Sequence, residues 1–128
     1  MRDIKFRAWD YDTNTMIYPD SKLETIFCFD RVGLSVYQGN GSELSSFELM
    51  QYVGLKDKNR KEVYEGDIIE NTDFQLKCRV GFKNGAFTKS WENSNIHLLY
   101  DSNIEDGVML DWRVIGNIYE NHDLLEDN

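Results

Sequence analysis

Four carboxylates crowd one short stretch of this chain: Glu62, Glu65, Asp67 and Glu70. A pair of carboxylates held close together can share general-acid and general-base work, as in glycoside hydrolysis. Here they flank a Gly66-Asp67 corner, where Glu65 and Asp67 are expected to accept backbone N–H bonds near Gly66 instead. A second acidic run, Asp10-x-Asp12-x-Asn14, matches the first three ligand positions of an EF-hand loop. The match fails at the sixth position, where Gly is needed and Thr15 stands, and at the twelfth, where Glu is needed and Ser21 stands. Asx residues also favour turns by bonding their own backbone. His97, His122, Cys28 and Cys78 show no metal-ligand spacing and no CxxC pair, so no zinc site is expected. A Cys–His nucleophilic pair is a formal alternative that no spacing supports. No glycine-rich phosphate loop and no G-x-S-x-G motif occurs. No catalytic, cofactor-binding or metal-binding residue is assigned, and the chain is expected not to be an enzyme. The aromatics Trp9, Tyr11, Tyr64, Trp91, Trp112 and Tyr119 mostly fill a core, with one or two left over for a ligand surface.

The elements that would hold these residues are short strands between turn signals, which predicts an all-β fold with at most short helices. Ile4, Phe6 and Ala8 alternate with Lys5, Arg7 and Trp9, and Asp12-Thr13-Asn14 turns the chain into Met16–Tyr18. Pro19, the single proline, stops that strand. Leu23–Phe29 and Val32–Tyr37 read as a hairpin, followed by a loop at Gln38–Ser42. Ser45 and Glu48 have the spacing of a helix capping box, but alternation from Phe47 to Val53 favours at most one helical turn and then a strand. Asn84-Gly85 suits a type I′ hairpin, which would set Phe82 opposite Phe87, a contact worth up to about 1 kcal/mol. Ile96–Tyr100 and Asp111–Tyr119 are further strands, and Asn121 is placed to cap a short terminal helix through Leu124 and Leu125. Glycines 54, 66, 81, 85 and 116 fall where bent strands closing a small barrel would turn. The expected architecture is one unit: an N-terminal strand segment to about residue 46, a small SH3-like barrel over about 47–121, and a short tail.

The chain has 128 residues, 13% of them aromatic, enough to bury a core without metals or disulfides. Two distant cysteines predict reduced thiols. The charged start, MRDIKFRAWD, lacks a signal-peptide core, and a soluble cytoplasmic protein with no membrane span is expected. Net charge is −9, and residues 101–128 hold eight acids against the single base Arg113. Acidic surface of this kind serves solubility or engages a basic partner. Direct nucleic-acid binding is disfavoured, because that affinity rests on Lys and Arg neutralising phosphates. The one basic cluster, Lys56, Lys58, Arg60 and Lys61, is interleaved with acids in a turn.

Three blocks, IKFRAWD (Ile4–Asp10), LMQYVGLKDKNRKEVYEGDII (Leu49–Ile69) and VIGNIYENHDLL (Val114–Leu125), resemble the YopX family of phage and prophage proteins. Arg60 stands where the family's DKNGKE-like turn usually has Gly, and His122 where Pro is common. If Arg60 keeps that glycine's left-handed backbone, its Cβ carries about 1–2 kcal/mol of strain. The resemblance implies a β-rich fold, a temperate-phage or prophage origin and expression in the cytoplasm of a bacterial host cell. It supplies no catalytic residue. Among the shared positions, Trp9, Tyr64, Glu65, Asp67, Asn117 and Glu120 are large or polar enough to contact a partner. The leading expectation is a non-enzymatic accessory protein that binds a host or phage protein. The alternative is an acidic DNA mimic or modulator of DNA metabolism acting through residues 101–128, and a hydrolase using Glu62–Glu70 stands third. A homo-oligomer is also expected, with Ile4–Trp9 as the strand offered to a neighbouring subunit.

Overall fold

A computed structural model of the chain describes residues 4–18, 25–30, 33–38, 41–91 and 95–127. The strands are β1 (Phe6–Asp10), β2 (Thr15–Ile17), β3 (Thr25–Asp30), β4 (Gly33–Gln38), β5 (Phe47–Lys56), β6 (Glu62–Tyr64) and β7 (Asp67–Asn71). They continue with β8 (Lys77–Lys83), β9 (Ala86–Trp91), β10 (Asn95–Leu98), β11 (Ile104–Glu105), β12 (Val108–Met109) and β13 (Trp112–Asn117). Among the described residues helical structure is confined to 3₁₀ turns at Leu99–Asp101 and His122–Asp127, so the all-β expectation holds. None of these helices is long and apolar enough to cross a membrane.

Two compact units form, Lys5–Gln51 and a second built from Tyr52 onward. In the first, β1 is paired on both sides, with β2 through Ala8–Asp10 and with β5 through Phe6–Asp10. Asn14, at φ 55, makes the β1–β2 turn. Within this chain β1 is therefore an interior strand over Ala8–Asp10. β3 and β4 form the expected hairpin, although Leu23, Glu24 and Val32 of the expected strands lie outside the described residues. Ala8, Val36 and Leu44 bury together, with Phe27 and Phe47 against them. Ser45 caps no helix: its hydroxyl bonds Asp12 Oδ2 at 2.5 Å, and β5 begins two residues later.

In the second unit β7–β10 and β13 make one antiparallel sheet in the order β10-β9-β8-β7-β13. The later half of β5 pairs with β6 at Tyr52–Tyr64 and Lys56–Glu62, and with β12 at Lys56–Val108. The closed SH3-like barrel does not form. The register of β5 breaks between Tyr52 and Lys56, where Gly54 sits at φ 88, and β6 is three residues long. The chain then turns at Gly66, φ 86, and β7 pairs with β8 and β13 rather than with β6. The strands form open sheets whose apolar faces enclose Val53, Leu55, Val63, Ile69, Val80 and Met109. The Asn84-Gly85 turn has both residues at positive φ, and Phe82 meets Phe87 edge-on at 5.1 Å between ring centroids.

Candidate functional site

Five of the six candidate contact residues gather around the Gly66 corner, where Asp67 and Asn117 use their side chains to hold it. Asp67 is 2% exposed and its Oδ2 accepts the Tyr64 N–H at 2.8 Å. Tyr64, also 2% exposed, packs its ring 5.6 Å from that of Tyr52. Asp67 lies opposite Asn117 in the β7–β13 ladder, and Gly66 O accepts the Ile118 N–H. Buried Asn117 accepts the Tyr119 and Glu120 N–H groups through Oδ1, at 3.0 and 2.9 Å, and donates from Nδ2 to Glu120 Oε1 at 2.9 Å. The Asn121 side chain turns back to accept the Asn117 N–H at 3.2 Å, over Gly116. Glu65 is half-buried and Glu120 exposed, while Trp9 is buried in the other unit. Buried side chains spent on backbone bonds give a partner little to touch.

Asp57, one of the acids interleaved in the basic turn, does more than shape it. Its carboxylate is 1% exposed. Oδ1 accepts the Asn59 and Lys61 N–H groups and Oδ2 the Val114 N–H, each at 2.8 Å. The clamp leaves Arg60 at φ 66. One side chain therefore shapes the charged turn and fastens it to β13.

A third cluster was not legible in the sequence. Lys89, 8% exposed, donates to Ser102 Oγ at 2.6 Å and lies 5.0 Å from the centroid of the Trp112 ring. Burial lowers its pKa, against the attraction of Cys78 and Asp101. Burial also pushes the neighbouring Cys78 thiol up to about 12, so at neutral pH it carries no charge. A serine–lysine contact can activate a nucleophile. Here it ties the segment after the Leu99–Asp101 turn to β9. Among the described residues no group of three or more His, Cys, Asp or Glu could hold a metal ion.

What remains outward is one face of the sheet. Directly opposed residues share a face, so the pairs Arg79–Ser90, Gly81–Thr88 and Lys83–Ala86, with Ile96–Ser90 and Leu98–Thr88, define it. Lys77, Arg79 and Lys83 of β8 stand on this outer face, and β8, β9 and β10 place no carboxylate there. Ile96 and Leu98 are each 49% exposed. A groove of about 200 Å³ runs between them and Lys83, floored by Ala86 and Thr88. On a chain of net charge −9 this is a basic and apolar patch.

The YopX family model, described as YopX protein, matches residues 5–126. The chain belongs to the YopX family. A solved structure, that of protein EF1440 from Enterococcus faecalis, is similar to this family member with a TM-score of 0.62 at 25% sequence identity. The likeness covers 98% of this chain and 99% of that one. No curated protein matches the chain.

Proposed function

We propose that this YopX family member is a non-enzymatic phage or prophage accessory protein that works in the bacterial cytoplasm by binding another protein, of host or phage. The observation that carries this reading is the outer face of β8–β10. Lys83 and two half-exposed aliphatic side chains line a shallow groove there, Arg79 stands further along the same face of β8, and β8–β10 carry no carboxylate on that face. The fitting occupant is an extended protein segment that mixes acidic and apolar side chains, the former for Arg79 and Lys83, the latter for Ile96 and Leu98. Phosphodiester chains would use the cations and leave the aliphatic floor unused.

The acidic-mimic reading has less support. Glu105 and Asp106 share a pocket with Lys58 and Arg60, so part of the acidic quarter meets cations of its own fold. The deciding experiment compares partners retained from host lysate by the native chain and by the Arg79→Glu, Lys83→Glu double variant. The proposal expects a partner that the double variant loses and that competing DNA does not release. Equal retention by both chains refutes it, and a DNA-binding partner displaced by competing DNA transfers the case to the mimic.

A further inference from the structure

We infer that two copies of this chain pair antiparallel along the free edge of β10, with His97 of one copy opposite His97 of the second. The inference goes beyond the partner reading, because it uses the edge of the sheet and leaves the outer face open.

β10 ends the sheet: it pairs with β9 on one side, and no strand among the described residues pairs with its other side. Natural edge strands carry charges, prolines or bulges that block pairing with a second chain. Asn95-Ile96-His97-Leu98 has no acid, no lysine or arginine, no proline and an unbroken register against β9. The opposite edge, β13, differs. It bears Arg113, held 2.6 Å from Glu70, and has a register break between Val114 and Gly116.

Charge also selects this edge. Two chains of net −9 repel in most orientations. Approach through β10 brings together a strand without Asp or Glu, backed by two strands, β9 and β8, that place no carboxylate on the outer face. The nearest cations of that face, on β8, would stand five strand spacings apart across the pair, about 24 Å and well beyond the screening length at physiological salt.

The faces fix the register. A two-fold axis normal to the sheet keeps the outer faces of both copies on one side, and opposed residues must share a face. Centring the pair on His97 sets Ile96 opposite Leu98 of the second copy, and the reverse. Both exposed aliphatic side chains then find apolar partners. On the other face His97 lies flat on Trp91, 5.0 Å between ring centroids at 7°, which holds the imidazole beside the axis. Four residues per copy make a small interface, so the dimer is weak and concentration-dependent.

Single-cysteine cross-linking in a Cys28→Ser background tests the register, since Cys78 is fully buried. His97→Cys should oxidise rapidly to a covalent dimer, because opposed Cα atoms in an antiparallel pair lie about 5 Å apart, within disulfide reach. Ile96→Cys and Leu98→Cys, each about 8 Å from itself across the axis, should cross-link slowly alone but readily when mixed. Circular dichroism on each variant checks that the fold is intact. Sedimentation of the native chain should show mass rising from 15.1 kDa towards twice that value with concentration, and Ile96→Lys should abolish the rise. A native chain that stays at 15.1 kDa at millimolar concentration overturns the inference. So does a His97→Cys variant that dimerises no faster than Asn59→Cys on the exposed turn. Arg79→Glu with Lys83→Glu should leave self-association intact, so failure here and failure of the partner reading are separable.

Discussion

Replacing Arg60 by glycine should make this protein more stable. Arg60 sits at φ 66, where a side chain brings Cβ against the backbone and costs about 1–2 kcal/mol. The residue cannot relax, because its N–H bonds Asp57 O at 2.8 Å while the Asp57 carboxylate holds the Asn59 and Lys61 N–H groups on either side. Glycine removes the strain and adds roughly 0.5–1 kcal/mol of unfolded-chain entropy, leaving a net gain of about 0.5–1 kcal/mol. The substitution also takes a cation away from Glu105 and Asp106, which line the same pocket. Arg60→Ala isolates that loss, because alanine keeps Cβ and lacks the charge. The quantity to read is therefore the glycine-minus-alanine difference in urea melts. With a slope near ~1.5 kcal/mol per molar, a 1 kcal/mol difference moves the midpoint by about 0.7 M. Equal midpoints for the two variants would refute the strain argument.

Asp57→Ala should cost about 3 kcal/mol, since three N–H groups lose a charged acceptor, and thermal melts compared with an exposed Asp106→Ala control measure it. Gly116→Ala should cost about 2 kcal/mol, because the new Cβ would lie 2.7 Å from Asn121 Cγ and 2.8 Å from Asn121 Cβ. Adding Asn121→Gly should recover part of that loss, and additive effects in the double variant would refute the clash. The Cys78 thiol, pushed up to about 12 from 9.0, gives a signed pH effect. Above pH 9 the unfolded thiol ionises and the folded one does not, so stability falls as pH rises. Relative to Cys78→Ala, the native chain should lose about 1.4 kcal/mol between pH 8 and pH 10 in urea melts, and parallel pH profiles for the two would contradict the burial.

The hairpins were legible because their turns carry their own chemistry. Asn84-Gly85 dictated a left-handed pair, and with it the Phe82–Phe87 contact. The same logic was available at Asp106-Gly107, φ 53 and 77, which joins β11 to β12. Closure of a barrel was not legible, because it depends on which strands β6 and β7 choose, and corner glycines serve open and closed sheets alike. Burial among the candidate contacts was not legible for a related reason. Asp67 and Asn117 are polar, yet each spends its side chain on neighbouring backbone, and a single sequence does not reveal that burial. The outer face of β8–β10 emerges only when pairing registers bring Lys83, Thr88 and Leu98 together. Lys89 likewise reads as a surface residue until Ser102 and Trp112 are folded over it.

The Asp57 carboxylate also sets an order of assembly. Its bonds to Asn59 and Lys61 close loops of a few residues, whereas its bond to Val114 spans 57 positions. Short loops close at small entropic cost and long ones wait for other contacts to shorten the search. During synthesis the turn is made long before Val114 leaves the ribosome, and one carboxylate oxygen faces water until the last strand arrives. Docking of β13 then removes that oxygen from solvent in the same step that completes the sheet edge. The Val114 amide should accordingly exchange its hydrogen only on unfolding of the whole unit, and the Asn59 amide on local opening of the turn.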